Sequence, residues 1–312
     1  MRIVFAGTPD FAAAHLKALI KNKFNVVAVY TQPDRPKGRG HSLAFSPVKE
    51  VALENDIPVY QPLNFKSEDD INQLRALNAD IIVVVAYGII LPKSVLEAAQ
   101  KGCINVHGSI LPRWRGAAPI QRSLLEGDKT TGVTIIKINE KLDAGDMLAI
   151  SETEITNSDT SSSLYLKLEQ LGCSTLINSL NNIDDYLTNA VKQDESQVTY
   201  AAKLNKEEAE ISFEETAEVI HRKIRGYNPW PMAYFVYKDL TIKIHEAEVI
   251  DNSSTFEETG VIHNISKNGL DITTAKGVIR LTKIQFPNKK PMSFSDILNG
   301  NKELFKTGGK LL

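Results

Sequence analysis

The chain has 312 residues, more than a single hydrophobic core usually serves, so two domains are expected. Apolar residues make up 42% and charged residues 24%, with 18 Gly and 13 Pro, which excludes a disordered, collagenous or membrane-embedded composition. Lys and Arg number 36 against 38 Asp and Glu, a net charge of -2, so a polyanion would have to be held by local patches. The two cysteines, Cys103 and Cys173, stand too far apart for a disulfide scaffold or a local thiolate metal knuckle, which points to a reducing compartment. No apolar run approaches the ~20 residues of a bilayer crossing, and a strand pattern begins at Arg2 with no room for a leader. A cytoplasmic protein with no membrane partner is expected.

In the first half, short β-branched runs at 3–6, 26–30, 80–86, 102–106 and 133–138 alternate with amphipathic stretches. A parallel strand needs a long crossover and a helix supplies it, so this pattern predicts an α/β parallel sheet with helices on both faces. Ile81-Ile82-Val83-Val84-Val85 is apolar throughout, as a central strand covered on both sides should be. A polar stretch at 156–163 precedes a predicted helix over 164–186, and clear periodicity is then lost. Beyond it come a predicted helix over 217–225 and alternating runs at 232–237, 241–250, 260–265, 269–273 and 278–284. Closely spaced short strands with Gly and Asn turns predict a small antiparallel barrel. The division expected is 1–189, a linker over 190–206, and a second domain over 207–312.

Ligands of open parallel sheets collect beyond the carboxyl ends of the strands. Three segments there carry polar groups. In Phe5-Ala6-Gly7-Thr8-Pro9-Asp10-Phe11 a single Gly stands where a dinucleotide fingerprint needs three, so a tight strand-to-helix turn with Asp10 near the helix start is the reading. Asn105 and His107 are two apart and so face the same side of a strand end, and Gly108 and Pro112 turn the chain around them. Alone, His107 reads as well as a structural residue as a catalytic one. Asp143, on a Gly-containing loop past another strand, changes the balance: a carboxylate near the imidazole would orient it, and the Asn105 amide could donate to an oxyanion. The chain has no G-x-S-x-G, HExxH or P-loop motif, so no protein nucleophile and no metal is expected. This set suits direct acyl transfer between two bound substrates.

Two basic regions stand apart. Within 31–49, Arg35, Lys37, Arg39 and Lys49 oppose Asp34, giving +3 around Gly38-Arg39-Gly40, the pattern of an exposed phosphate-contacting loop or of a merely solvated one. Residues 281–312 hold six Lys against Asp296 and Glu303, giving +4. His245-Glu246 reads as a solvated strand face.

Several blocks occurring in order resemble the methionyl-tRNA formyltransferase family across nearly the whole chain. They are the 5–11 block, Thr31-Gln32-Pro33-Asp34-Arg35-Pro36, Val85-Ala86-Tyr87-Gly88, Asn105-Val106-His107-Gly108-Ser109, the 112–121 block around Trp114-Arg115-Gly116, and Asn228-Pro229-Trp230-Pro231-Met232. The resemblance implies an N-terminal folate-dependent formyltransferase domain of Rossmann-like form and a C-terminal OB-fold-like barrel domain that engages tRNA. It implies formyl transfer from 10-formyltetrahydrofolate to the α-amino group of initiator methionyl-tRNA, with Asn105, His107 and Asp143 as the catalytic set. Ser109, Ile110, Leu111 and Pro112 then correspond to the folate-binding segment, and Ala86, Tyr87, Gly88 and Ile89 line the pterin pocket. Arg39, with Lys37 and Gly38, belongs to the loop that reads the tRNA acceptor end, where His41-Ser42 replace lysines common in the family. A monomer is expected. An amino sugar nucleotide as acceptor, a hydrolase releasing formate, and a non-catalytic RNA-binding module remain the rival readings.

Overall fold

The structure is a computed structural model that describes residues 1–37, 42–300 and 304–311. The chain forms two compact units. The first comprises Met1–Pro119, Thr130–Glu154 and Leu166–Ala201; the second comprises Ile120–Lys129, Ile155–Tyr165 and Ala202–Leu312.

In the first unit, β1 (Arg2–Gly7), β2 (Asn25–Tyr30), β3 (Val59–Tyr60), β4 (Ile81–Val85), β5 (Cys103–His107), β6 (Thr130–Lys137) and β7 (Met147–Glu154) make one sheet in the order β7-β6-β5-β4-β1-β2-β3. The first five are parallel, as their alternation with helices requires. Helix α1 (Asp10–Lys21) connects β1 to β2, with Asp10 in its first turn and Lys21 in its last, complementing the helix dipole. The glycine of the β1–α1 turn is required for close approach: a Cβ on Gly7 would stand 2.6 Å from Ala12 Cβ and 2.8 Å from the Val85 carbonyl oxygen. Helices α2 (Pro47–Glu54) and α3 (Glu68–Ala76) are capped by Ser46, accepting from the Lys49 amide, and Ser67, accepting from the Asp69 amide. All five residues of β4 are buried, as its apolar sequence predicts.

The expectation of an all-parallel sheet is corrected at β6. It runs antiparallel to both β5 and β7, with Asn105 opposite Ile136 and His107 opposite Thr134. Six consecutive buried residues in β6 imitate a parallel strand, because an antiparallel strand covered on both faces shows the same apolar run. Strand β7 escapes the sequence reading; most of its outer half alternates between exposed and partly buried positions, as suits a sheet edge. The helix predicted over 164–186 is two helices, Ser161–Asn181 and Ile183–Thr188, divided at Asn182.

The second unit holds α4 (Ala217–Gly226), capped by Thr216, and an antiparallel β domain. Strands β8 (Tyr234–Tyr237), β9 (Leu240–Asp251), β10 (Ile262–Ser266), β11 (Gly269–Thr273) and β12 (Val278–Gln285) follow the order β8-β9-β12-β11-β10, with β13 (Met292–Ser293) paired to β12. On the predicted solvated face of β9, His245 Nε2 lies 2.9 Å from Gln285 Oε1, and Glu246 takes up Lys283, one of the six lysines counted in 281–312. Among the described residues, no helix is long and apolar enough to cross a membrane.

Candidate active site

Register places the functional side chains. Val84 pairs with Asn105, and Gly7 with Val85, so the residues that follow β1, β4 and β5 leave the sheet at one edge. Backbone strain collects beside it: Ala86, Trp114 and Asp143 have φ of 44°, 67° and 47°, and Gly88 and Gly116 are also in the positive-φ region. Such conformations persist only where surrounding structure imposes them.

His107 is buried at the end of β5, with Nε2 2.8 Å from the Trp114 carbonyl oxygen. A carbonyl only accepts, so Nε2 carries a proton and Nδ1 is the ring nitrogen left to exchange one. Nδ1 faces Asp143 Oδ2 at 3.7 Å. That same oxygen accepts the Gly116 amide hydrogen at 2.9 Å. The carboxylate is thus anchored by one strong hydrogen bond while standing beside the imidazole without a direct one. Asn105, half-buried two residues before His107, has no hydrogen bond on its amide group among the described residues. A donor amide, a proton-exchanging ring and a carboxylate therefore share one end of the sheet. This arrangement can stabilise an oxyanion and move a proton.

Neither cysteine lies at this edge: Cys103 begins β5, at the opposite end from His107, and Cys173 belongs to the helix Ser161–Asn181. Burial pushes the free thiols of Cys103 and Cys173 up to about 12 and 11, leaving no thiolate to attack near neutral pH. Among the described residues, no group of three or more His, Cys, Asp or Glu side chains is arranged to hold a metal ion.

The segments assigned to folate divide between side-chain and backbone roles. Ser109 is fully buried, its hydroxyl donating to the Arg113 carbonyl at 2.7 Å while its own carbonyl accepts from Thr134 Oγ1. Leu111 is buried too, and its amide donates to the same Thr134 oxygen. Both therefore hold the turn, and Ile110 and Pro112, partly exposed, are the members that face outward. Ala86 and Gly88 are exposed and Ile89 partly so. The Tyr87 side chain is instead a core member packed with the cluster containing Tyr30, so only its backbone remains at the edge. The Tyr87 carbonyl accepts from Thr8 Oγ1 at 2.9 Å and Gln32 Nε2 at 3.1 Å, which stitches the turns after β1, β2 and β4 together.

In the basic loop, Gly38 and Arg39 lie outside the described residues. Lys37 ends the short strand Arg35–Lys37, which pairs with Ser42–Ala44. Lys49, counted among the loop's cations, is instead bound to Asp34 at 2.5 Å and to Gln61 at 2.9 Å. Hydrogen bonding to Lys49 holds the Asp34 carboxyl below its ordinary range. That pair cancels, so +3 still belongs to Arg35, Lys37 and Arg39, with Lys49 removed as a phosphate contact.

Sequence reasoning missed Thr8, Gln32, Arg115 and Gln193. Thr8 and Gln32 carry a usable signal, since both are polar and lie within two residues of a strand end. Buried Arg115 donates from Nε to Gln193 Oε1 at 2.9 Å, across 78 residues of sequence, and no local pattern marks that contact. A separate recess of about 910 Å³ in the second unit is lined by His221, Arg222 and Arg225 but also by Glu218, Glu248 and Asp251, a mixture of signs that selects no ligand charge.

Comparison with known proteins bears on the family and the fold. Residues 1–180 match the formyl transferase family model, and residues 203–302 match that of the formyl transferase C-terminal domain. WlaRD, a sugar 3N-formyl transferase solved in the presence of dTDP and 5-N-formyl-THF, is 20% identical, with 93% of this chain and 99% of that chain covered at a TM-score of 0.66. The N-formyltransferase from Helicobacter canadensis, in complex with folinic acid and dTDP-3-aminofucose, is 19% identical, with coverages of 91% and 99% and a TM-score of 0.68. HypX from Aquifex aeolicus, in complex with tetrahydrofolic acid, is 15% identical; 100% of this chain matches 50% of that one at a TM-score of 0.62. At these identities the likeness establishes the fold, an α/β Rossmann-like formyltransferase domain followed by an antiparallel β domain. With more than half of its length matched by the N-terminal model and most of the remainder by the C-terminal one, this chain belongs to the formyl transferase family.

Proposed function

We propose that this protein transfers the formyl group of 10-formyltetrahydrofolate to the α-amino group of methionine on initiator methionyl-tRNA, as a cytoplasmic monomer. One observation supports the chemistry above all: the His107 ring nitrogen free to exchange a proton faces the Asp143 carboxylate at 3.7 Å, at the strand end that also carries Asn105. The amine attacks the formyl carbon in its neutral form, a usable minor fraction of roughly a tenth near pH 7 because an α-amino group has a pKa of about 7.7 to 8. Asn105 and protonated His107 meet the oxyanion, and Asp143 takes up the amine proton, directly or through water. The new C–N bond to methionine is completed as the bond to folate N10 breaks, with N10 leaving protonated. Ile110, Pro112, Ala86, Gly88, Ile89 and the backbone of Tyr87 are the groups proposed to hold the folate.

The tRNA acceptor is supported by the Asn228-Pro229-Trp230-Pro231-Met232 block and by the cations of the 35–39 loop. Catalysis is assigned to residues 1–189 and tRNA engagement to 207–312, joined by 190–206. The rival acceptor is the amine of a sugar nucleotide; WlaRD, a sugar 3N-formyl transferase, matches nearly full length, but at 20% identity that match carries the fold alone. Incubating the protein with 10-formyltetrahydrofolate and, in turn, initiator methionyl-tRNA, elongator methionyl-tRNA and a dTDP-amino sugar decides between them. Formylation of the initiator alone is expected; formylation of the sugar alone would reject the proposal, as would formate release with no acceptor present.

A further inference from the structure

Residues 190–206 read in sequence as a linker, yet much of this span is hydrogen-bonded to the turns that carry the candidate catalytic groups. Val191 exchanges two backbone hydrogen bonds with Met147, at 2.8 and 2.9 Å. Gln193, 8% exposed, donates from Nε2 to the carbonyl oxygens of both Asp143 and Gly145 at 2.8 Å. Arg115, 3% exposed, donates to Gln193 Oε1 and closes on Glu195 through Nη2 at 2.7 Å. The Thr199 hydroxyl and carbonyl accept from the amides of Trp114 and Arg115 at 3.0 and 2.9 Å, and Tyr200–Ala201 pairs with Arg115–Gly116. One run of about ten residues therefore grips both the turn that carries Trp114 and Gly116 and the turn that carries Asp143.

The Asp143 turn needs such a hold. Asp143 sits at φ 47°, a conformation that L-residues adopt at a cost, and the backbone at Gly145 is packed so tightly that an added Cβ would meet the Lys137 carbonyl oxygen at 1.7 Å. The carboxylate itself has one hydrogen bond, from the Gly116 amide. Its place beside His107 is therefore set by where the backbone of its turn is held. We infer that residues 191–201 are a positioning strap for this site, with Gln193 the positioning residue that fixes the Asp143 carboxylate against His107 and Gly116. Gln193 suits the task chemically: one amide group supplies two N–H donors to two carbonyls while its oxygen receives a buried guanidinium, so all its strong hydrogen-bonding groups are engaged. A carboxylate there would oppose the carbonyls, and an apolar residue would take the Gln193 partner from the buried Gly145 carbonyl and Arg115 Nε and from the part-buried Asp143 carbonyl.

The inference rests on the proposed role of Asp143 in formyl transfer, and its test has one readout that needs no substrate. The Gly116 amide is protected from hydrogen exchange by the Asp143 carboxylate, so its exchange rate reports the position of that group. In Gln193→Leu and in Gln193→Glu, the second of which keeps an acceptor for Arg115, the Gly116 amide is expected to exchange about tenfold faster relative to the amides of β4, the loss of about one net hydrogen bond's worth of hold. Turnover should fall while KM for the acceptor stays within about twofold, the pattern of a misplaced catalytic group rather than lost binding. Unchanged Gly116 exchange relative to β4 in either folded variant overturns the strap. Faster exchange with unaltered kcat supports the strap and overturns the role given to Asp143, so the two failures are told apart.

Discussion

Exchanging Asp143 for Asn isolates the charge of the carboxylate from its shape. Asn keeps an oxygen to accept from the Gly116 amide, whose nitrogen is now 2.9 Å from Asp143 Oδ2, so the turn should retain its anchor. What disappears is the negative charge 3.7 Å from His107 Nδ1. Two unit charges at that separation interact by roughly 4 kcal/mol at an effective dielectric of 20. The Asp143 side chain is 16% exposed, and with the effective dielectric raised to about 40 for the solvent it meets the interaction is about 2 kcal/mol. At 1.36 kcal/mol per factor of ten, Asp143→Asn should lower kcat for formyl transfer by about 30-fold, with the loss confined to the state in which the imidazole is charged. The assay is steady-state formylation at saturating folate and acceptor, with Gly116 amide exchange measured in parallel to verify that the turn is intact. A kcat within threefold of the unaltered protein, with Gly116 still protected, would refute the electrostatic role.

Asn105→Ala removes the amide assigned to the oxyanion and should lower kcat by about 10²–10³ while the melting temperature moves by only a few degrees; rapid turnover in the folded variant would assign that donor elsewhere. Burial lowers the His15 imidazole from 6.5 to about 4, opposed by its hydrogen bond to the Phe11 carbonyl. The unfolded chain therefore binds a proton that the folded chain refuses between those values, and stability falls as pH is lowered through that window, by about 2 kcal/mol at pH 5 from this site. His15→Gln should flatten the urea-unfolding stability measured from pH 7.5 to 5 by that amount, and an identical pH dependence in the variant contradicts the buried neutral ring. Arg39→Ala should make the log Kd for initiator tRNA depend less steeply on log salt, by roughly 0.7 to 0.9 for one lost phosphate contact, and an unaltered slope makes Arg39 a surface charge.

Much of the architecture could be read along the chain because its causes are local. The wholly apolar 81–85 run becomes the buried β4, the single Gly7 marks a turn too tight for a Cβ, and the two-residue spacing of Asn105 and His107 puts them on one strand end. The alternating runs of the second half likewise become β8 to β12 with ends shifted by at most a few residues. Tertiary structure alone decided the rest. The direction of β6 was hidden because a strand buried on both faces has the same apolar run whichever way it points. Tyr87 reads as an edge residue until Tyr30 and its neighbours enclose its ring, and Lys49 reads as a free cation until Asp34 takes it. The Asp143 carboxylate reaches His107 and Gly116 across gaps of 36 and 27 residues, and Gln193 reaches the same turn across 50. Periodicity reports which side of a strand or helix is wet; it carries nothing about which distant turns meet, because that depends on how the sheet orders its strands and where a returning segment finds carbonyls to bind.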